Sequence, residues 1–206
     1  MRRASGRSPF VLKALMDINL FKIIARHDRP SQNIVEWQMF LEWVDSYFKN
    51  RRINRPVVVE LGTWFNRQKK YYEQLLNAVH VGIDDQKDER FPEKMKQQCR
   101  PDILGNTHDA NTVQKLKIVL EGRPINLLFI DAGHNYKDVK RDFEIYEPLT
   151  KNIVAIHDIM LDREEVRLFW NEICHHKDYI TCTIHAPSKY HAERISVGTG
   201  LIIKEW

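Results

Sequence analysis

The sequence predicts an α/β fold. Its core would be a seven-stranded, mostly parallel sheet with an antiparallel strand near the C-terminus, helices on both faces and N-terminal helices ahead of it. Three observations predict it. From Val57 onward, short β-branched runs alternate with amphipathic stretches, the pattern of right-handed βαβ units. Ile125–Ile130 is apolar almost throughout, as expected of a strand buried on both faces. The last two strand-like runs have no helical pattern between them, which predicts a hairpin and one reversed strand.

Residues 1–9 are basic, small and polar, and predict a loosely held end. After Pro9, apolar residues at 11, 12, 15, 16, 20, 23 and 24 fall near helical spacing, and the helix should end near Arg26. Ser31 is placed to cap a second helix over 32–49, with Val35, Trp37, Phe40, Leu41, Val44 and Phe48 on its apolar side. Residues 50–56 then link to the sheet, so that 1–55 is a helical extension and 56–206 the sheet domain. Strands are expected at 57–63, 80–85, 102–107, 125–130, 152–157, 179–184 and 198–203. Helices are expected at 67–78, 92–98, 110–121, 136–149 and 163–176, with Asp109 a candidate cap for the third of these.

Composition sets bounds on function. Lys and Arg number 32 against 28 Asp and Glu, a net charge of +4 that is too mild to argue for nucleic acid. Cys99, Cys174 and Cys182 have neither CxxC nor zinc-site spacing, and imply reduced thiols in a cytoplasmic setting. No run approaches transmembrane length, and the apolar stretch near the start is broken by Lys13, Asp17 and Lys22. Trp37, Trp43, Tyr47 and Phe48 offer either core packing or a surface through which N-terminal helices could pair two copies.

The chemistry-bearing residues gather at strand ends. The first strand ends in Glu60-Leu-Gly-Thr63, the second in Asp84-Asp85, the third in Asn106-Thr-His108, the fourth in Asp131 and His134, and the fifth in His157-Asp158. Open α/β sheets bind ligands outside the carboxyl ends of their strands, so five polar ends in a row predict a cleft there. A glycine after the first strand lets a ligand approach the backbone, and Asp84 is placed to accept both hydroxyls of a ribose. These parts fit an adenosine-containing cofactor without distinguishing a dinucleotide from S-adenosylmethionine.

The segments Val-Val-Val-Glu-Leu-Gly-Thr63, Val-Gly-Ile-Asp84, Gly-Asn-Thr-His-Asp109, Leu-Leu-Phe-Ile-Asp-Ala-Gly-His-Asn-Tyr-Lys-Asp-Val139 and Ile-His-Asp-Ile159 resemble the class I S-adenosylmethionine-dependent methyltransferases. The resemblance is nearest to the small-molecule and sugar O-methyltransferases related to the cephalosporin-biosynthesis methyltransferase. It implies a Rossmann-like domain and methylation of a small-molecule or saccharide hydroxyl. It also implies that Glu60, Gly62 and Thr63 lie beside the methionine part, Asp84 on the ribose, and Asn106, Thr107 and His108 on the adenine, with Asp131 at the catalytic edge. His134 matches the general base of such sugar enzymes, and Asp131, His157 and Asp158 match positions that bind a divalent metal, Mg or Mn, in metal-dependent relatives.

Two departures stand out. Trp64-Phe-Asn-Arg67 replaces further glycines, so residues 66 and 67 either crowd the methionine carboxylate or Arg67 pairs with it. Asn66 suits a positive φ. His157 replaces a carboxylate, and one imidazole with two carboxylates suits manganese, iron or zinc better than magnesium. The rivals are a non-catalytic binding module that kept the fold, and a dinucleotide-dependent oxidoreductase. The missing G-x-G-x-x-G counts against the latter. A nucleic-acid methyltransferase would want a base-reading Asn-Pro-Pro-Tyr-type tetrapeptide after the fourth strand, and none is present.

Overall fold

The computed structural model describes residues 16–87, 93–161, 165–186 and 197–204. Helices α1 (Ile18–His27) and α2 (Ile34–Arg51) lead into β1 (Val57–Leu61), α3 (Gln68–Leu75), β2 (Val79–Asp84), α4 (Glu93–Lys96) and β3 (Ile103–Leu104). Then come α5 (Ala110–Leu120), β4 (Ile125–Ile130), α6 (Tyr136–Tyr146) with a 3-10 turn at Glu147–Leu149, β5 (Thr150–His157), α7 (Val166–Ile173), β6 (Ile180–Ile184) and β7 (Thr199–Ile203). The seven strands form one sheet in the order β3-β2-β1-β4-β5-β7-β6. Strand β7 slots between β5 and β6, antiparallel to both, and the expected reversed strand is this one.

Register explains how the strand ends meet. Leu61 pairs with Ile83 on one side and Ile130 on the other, and Ile130 pairs with Ile156. The next residues of these strands, Gly62, Asp84, Asp131 and His157, therefore stand in one row across the sheet edge. The chain order reverses between β1 and β4, the place where such sheets open a crevice.

Alternation along each strand sends side chains to two cores. Val57, Val59, Leu61, Leu128 and Ile130 pack under α5, α6 and α7. Val58, Leu127, Phe129, Ile153 and Ala155 pack under α1, α2 and α3. Trp37 of α2 anchors the second core, with the rings of Phe40, Tyr71, Tyr72 and Phe129 at 5.2 to 6.0 Å. By parity, Glu60, Asp131 and His157 fall on this second face, toward the N-terminal helices.

The N-terminal helices differ in detail from the sequence pattern. Asp17 Oδ1 accepts from the Leu20 amide, which starts α1 there, and residues 1–15, with the expected loosely held end at 1–9, lie outside the described residues. The buried stripe runs through Phe21 and Ile24, while Ile23, expected inside, is 53% exposed. Asn33, not Ser31, caps α2 by accepting from the amides of Val35 and Glu36. Trp37 and Phe48 lie in the core, whereas Trp43 and Tyr47 are half-buried and stack on each other at 5.6 Å. Asp109 sits at the N-cap of α5 with no side-chain cap bond. Among the described residues no helix is long and apolar enough to cross a membrane.

Candidate active site

The loop after β1 is held by the second strand end. Gly62 has φ 81° and its amide donates to the Ile83 carbonyl. The Thr63 and Trp64 amides donate to Asp84 Oδ2 at 2.9 and 3.0 Å, and the Gln86 amide donates to Oδ1 at 2.6 Å. A carboxylate offers about four lone-pair sites. With three taken by backbone, Asp84 keeps room for a further donor. Burial raises its carboxyl, and these three amides oppose the rise.

Trp64 and Asn66 take left-handed φ of 47° and 51°, doing the turn work of the missing glycines. Asn66 Nδ2 donates to the Arg100 carbonyl at 3.1 Å. Arg67 lies over the Phe65 ring at 4.6 Å and donates to the Arg29 carbonyl at 3.4 Å.

Glu60 is fully buried and its Oε2 meets His80 Nε2 at 2.9 Å. Burial raises the Glu60 carboxyl, and His80 opposes it. Glu60 Oε1 and Thr63 Oγ1 are buried without a hydrogen-bond partner. The β3 end makes a separate cluster. Asn106 Oδ1 accepts from the His108 amide, the Tyr146 hydroxyl donates to the Thr107 carbonyl, and His108 Nε2 stands 3.3 Å from buried Asp142.

Asp131, His134, His157 and Asp158 meet at the ends of β4 and β5. His134 Nε2 is 3.6 Å from both Asp131 Oδ1 and Asp158 Oδ2, and its ring is 40% exposed. His157 Nδ1 is 3.0 Å from Asp131 Oδ1 and 3.2 Å from Asp158 Oδ1. Burial works to lower the His157 pKa, but Asp131, Asp158 and Glu36 outweigh it and hold it at about 9. Burial likewise works to raise Asp131, and His157 and His134 bring it down to about 2. Asp158 takes φ 62°, a strained turn that aims its carboxylate back at both imidazoles.

Among the described residues, Asp131, His134 and Asp158 bring ligating atoms within 4.8 Å of one another. His157 stands apart from that set. Its Nδ1 points between the two carboxylates as a donor, and its Nε2 faces Glu36 Oε1 at 3.7 Å. Two carboxylates and one imidazole are thus available to a divalent cation, with His157 bracing the carboxylates from behind.

Two residues absent from the sequence-based site reach it from the N-terminal segment. Gln32 Nε2 donates to Asp131 Oδ2 at 3.0 Å. Glu36 of α2 accepts from the Gly198 amide and the Thr199 hydroxyl and faces His157. Both are buried, and an acidic residue on the buried side of a helix was the one available signal.

A mostly parallel sheet with one reversed strand next to its edge is the layout of class I S-adenosylmethionine-dependent methyltransferases. The family model described as "Methyltransferase domain" matches residues 6–159, and the chain belongs to that family. Among solved structures, a candidate caffeoyl-CoA O-methyltransferase from Staphylococcus aureus matches at 15% identity and a TM-score of 0.61, with 92% of each chain covered. The O-methyltransferase from Bacillus cereus in complex with S-adenosylhomocysteine (SAH) matches at 13% identity and 0.54, covering 91% of this chain and 89% of that one. TomG, the O-methyltransferase of tomaymycin synthesis from Streptomyces achromogenes in complex with S-adenosylmethionine, matches at 15% and 0.54, covering 94% and 92%. At these identities the likeness speaks for the fold. A search of curated proteins finds no match to this chain.

Proposed function

We propose that the protein moves a methyl group from S-adenosylmethionine to a hydroxyl of a small molecule or saccharide, with His134 taking the hydroxyl proton. The observation that carries this is the half-exposed His134 ring, 3.6 Å from two carboxylates at the carboxyl ends of β4 and β5. The residues around the β1 loop fit the cofactor. Asp84 keeps one acceptor position for a ribose hydroxyl, and the unpartnered oxygens of Glu60 and Thr63 suit a ligand group.

When bound, the cofactor supplies an electrophilic methyl on a sulfonium, so the chain has mainly to align the acceptor oxygen with it. A hydroxyl is a poor nucleophile at neutral pH. His134 Nε2 is placed to accept its proton. Asp131 and Asp158 then stabilise the protonated imidazole. A divalent cation held by Asp131, His134 and Asp158 would instead lower the acceptor's pKa directly, and their convergence within 4.8 Å supports that second form.

Incubation of the protein with radiolabelled S-adenosylmethionine and a panel of phenolic and sugar acceptors tests the reading, with and without Mn2+. His134→Ala should lose transfer while SAH binding stays within about twofold. Unchanged transfer in that variant removes His134 from the chemistry.

A further inference from the structure

The buried amide of Gln32 has a fixed polarity. An ionised Asp131 only accepts, so Gln32 must turn its NH2 toward Asp131 Oδ2, which it meets at 3.0 Å. Its carbonyl then lies at the far end, where it accepts from Gln68 Nε2 at 2.9 Å. That bond fixes the next amide too. Gln68, in the first turn of α3, is left with its own carbonyl Oε1 buried and without a protein partner. The same short stretch holds other buried oxygens in that condition, namely Glu60 Oε1, Thr63 Oγ1 and the Tyr72 hydroxyl. The hydroxyls of Thr63 and Tyr72 can donate as well as accept, but Gln68 Oε1 can only accept, and a buried acceptor with no protein donor calls for a donor from a ligand.

We infer that Gln68 Oε1 accepts a hydrogen bond from the α-ammonium of S-adenosylmethionine, and that Gln32 is the positioning residue that turns it there. Asp131 and the amino-acid end of the cofactor are then joined by one buried amide relay, Asp131–Gln32–Gln68. The inference rests on the cofactor reading proposed above. It gives the N-terminal segment a task in cofactor recognition.

Calorimetric titration of the full chain tests it with two probes: SAH, and 5′-methylthioadenosine, which lacks the amino-acid end. Gln68→Met should weaken SAH about tenfold or more, as expected for a lost bond to a charged group, and leave methylthioadenosine within about twofold. Gln32→Leu should show the same selective loss, smaller in size. The double variant should bind SAH no worse than Gln68→Met alone, because both changes cut one relay. Gln68→Glu keeps an oxygen for the ammonium and should hold SAH within about threefold of wild type. Circular dichroism melts establish that each variant is folded, and Gln32→Leu carries the comparison if Gln68→Met is not.

Equal losses for the two probes, no loss for either, or additive losses in the double variant overturn the relay while leaving the cofactor reading intact. Wild-type protein that binds neither probe overturns the cofactor reading, and the relay with it.

Discussion

Gly62 and Asp131 touch backbone to backbone. A Cβ placed on Gly62 would stand 2.3 Å from the Asp131 carbonyl oxygen, and the Asp131 amide donates to the Leu61 carbonyl at 2.9 Å. The turn after β1 and the end of β4 are thus one rigid seam. Gly62→Ala adds both this clash and a left-handed φ of 81° on a residue with a side chain. It should lower stability by roughly 2 kcal/mol or more and abolish SAH binding. Urea denaturation and calorimetry check the two effects.

Asp84 holds the same seam from the other side. Asp84→Ala leaves the amides of Thr63, Trp64 and Gln86 without their acceptor. The expected cost is about 1–3 kcal/mol, with SAH binding lost because the loop no longer keeps its shape. Asp84→Asn keeps one oxygen. If that oxygen takes the Thr63 and Trp64 amides, the Asn NH2 faces the Gln86 amide, so the melt should fall by less than in Asp84→Ala while SAH weakens about tenfold. A parallel drop in both readouts would leave Asp84 with a structural role alone.

The sheet was legible because a parallel strand buried on both faces has no alternation to misread, and Ile125–Ile130 matches its expected bounds. Asp131, His134 and Asp158 were legible because strand ends at a switch point concentrate polar groups. Gln32 was not. Its partner Asp131 lies 99 residues away, and a single glutamine in a polar connector has no periodicity or spacing to mark it. The choice of His134 over His157 for the converging set also escaped sequence reasoning. It depends on the left-handed turn at Asp158 and on the buried carboxylate of Glu36, both set by tertiary packing. On α1 the expected stripe ran through Ile23, but Phe21 docks against Tyr71 and turns Ile23 outward.

Asp142 should make stability fall as pH rises across an acidic window. Burial lifts its carboxyl from 3.8 to about 6, with Thr107 and His108 pulling the other way. The folded chain therefore holds a proton that the unfolded chain has lost between about pH 4 and 6. Stability from this group is fully present below that window and declines as pH rises through it. Asp142→Asn should flatten the slope and unfold at a higher temperature than wild type at pH 7. Thermal melts at half-unit pH steps from 4 to 7.5 decide it. A wild-type slope that persists in the variant assigns the effect to another group.

Glu36 ties α2 to the far end of the sheet, and its loss should be felt at both. Its carboxylate accepts from the Gly198 amide at 3.1 Å and the Thr199 hydroxyl at 3.3 Å, and faces His157 Nε2 at 3.7 Å. Thr199 pairs with His157 across β5 and β7, so one side chain braces the reversed strand and the imidazole together. Glu36→Leu keeps much of the bulk but strands a buried imidazolium and two donors. Breaking a buried charge pair from one side costs about 3–5 kcal/mol, a large part of a typical domain's stability. Glu36→Gln retains an acceptor oxygen for Gly198 or Thr199 and gives up only the charge, so it should cost less than half as much in urea denaturation. Methyl transfer separates bracing from mere folding. With His157 less firmly held as a cation, its grip on Asp131 loosens, and folded Glu36→Gln protein should turn over more slowly at unchanged affinity for SAH. Full turnover in that variant would confine Glu36 to holding α2 on the sheet.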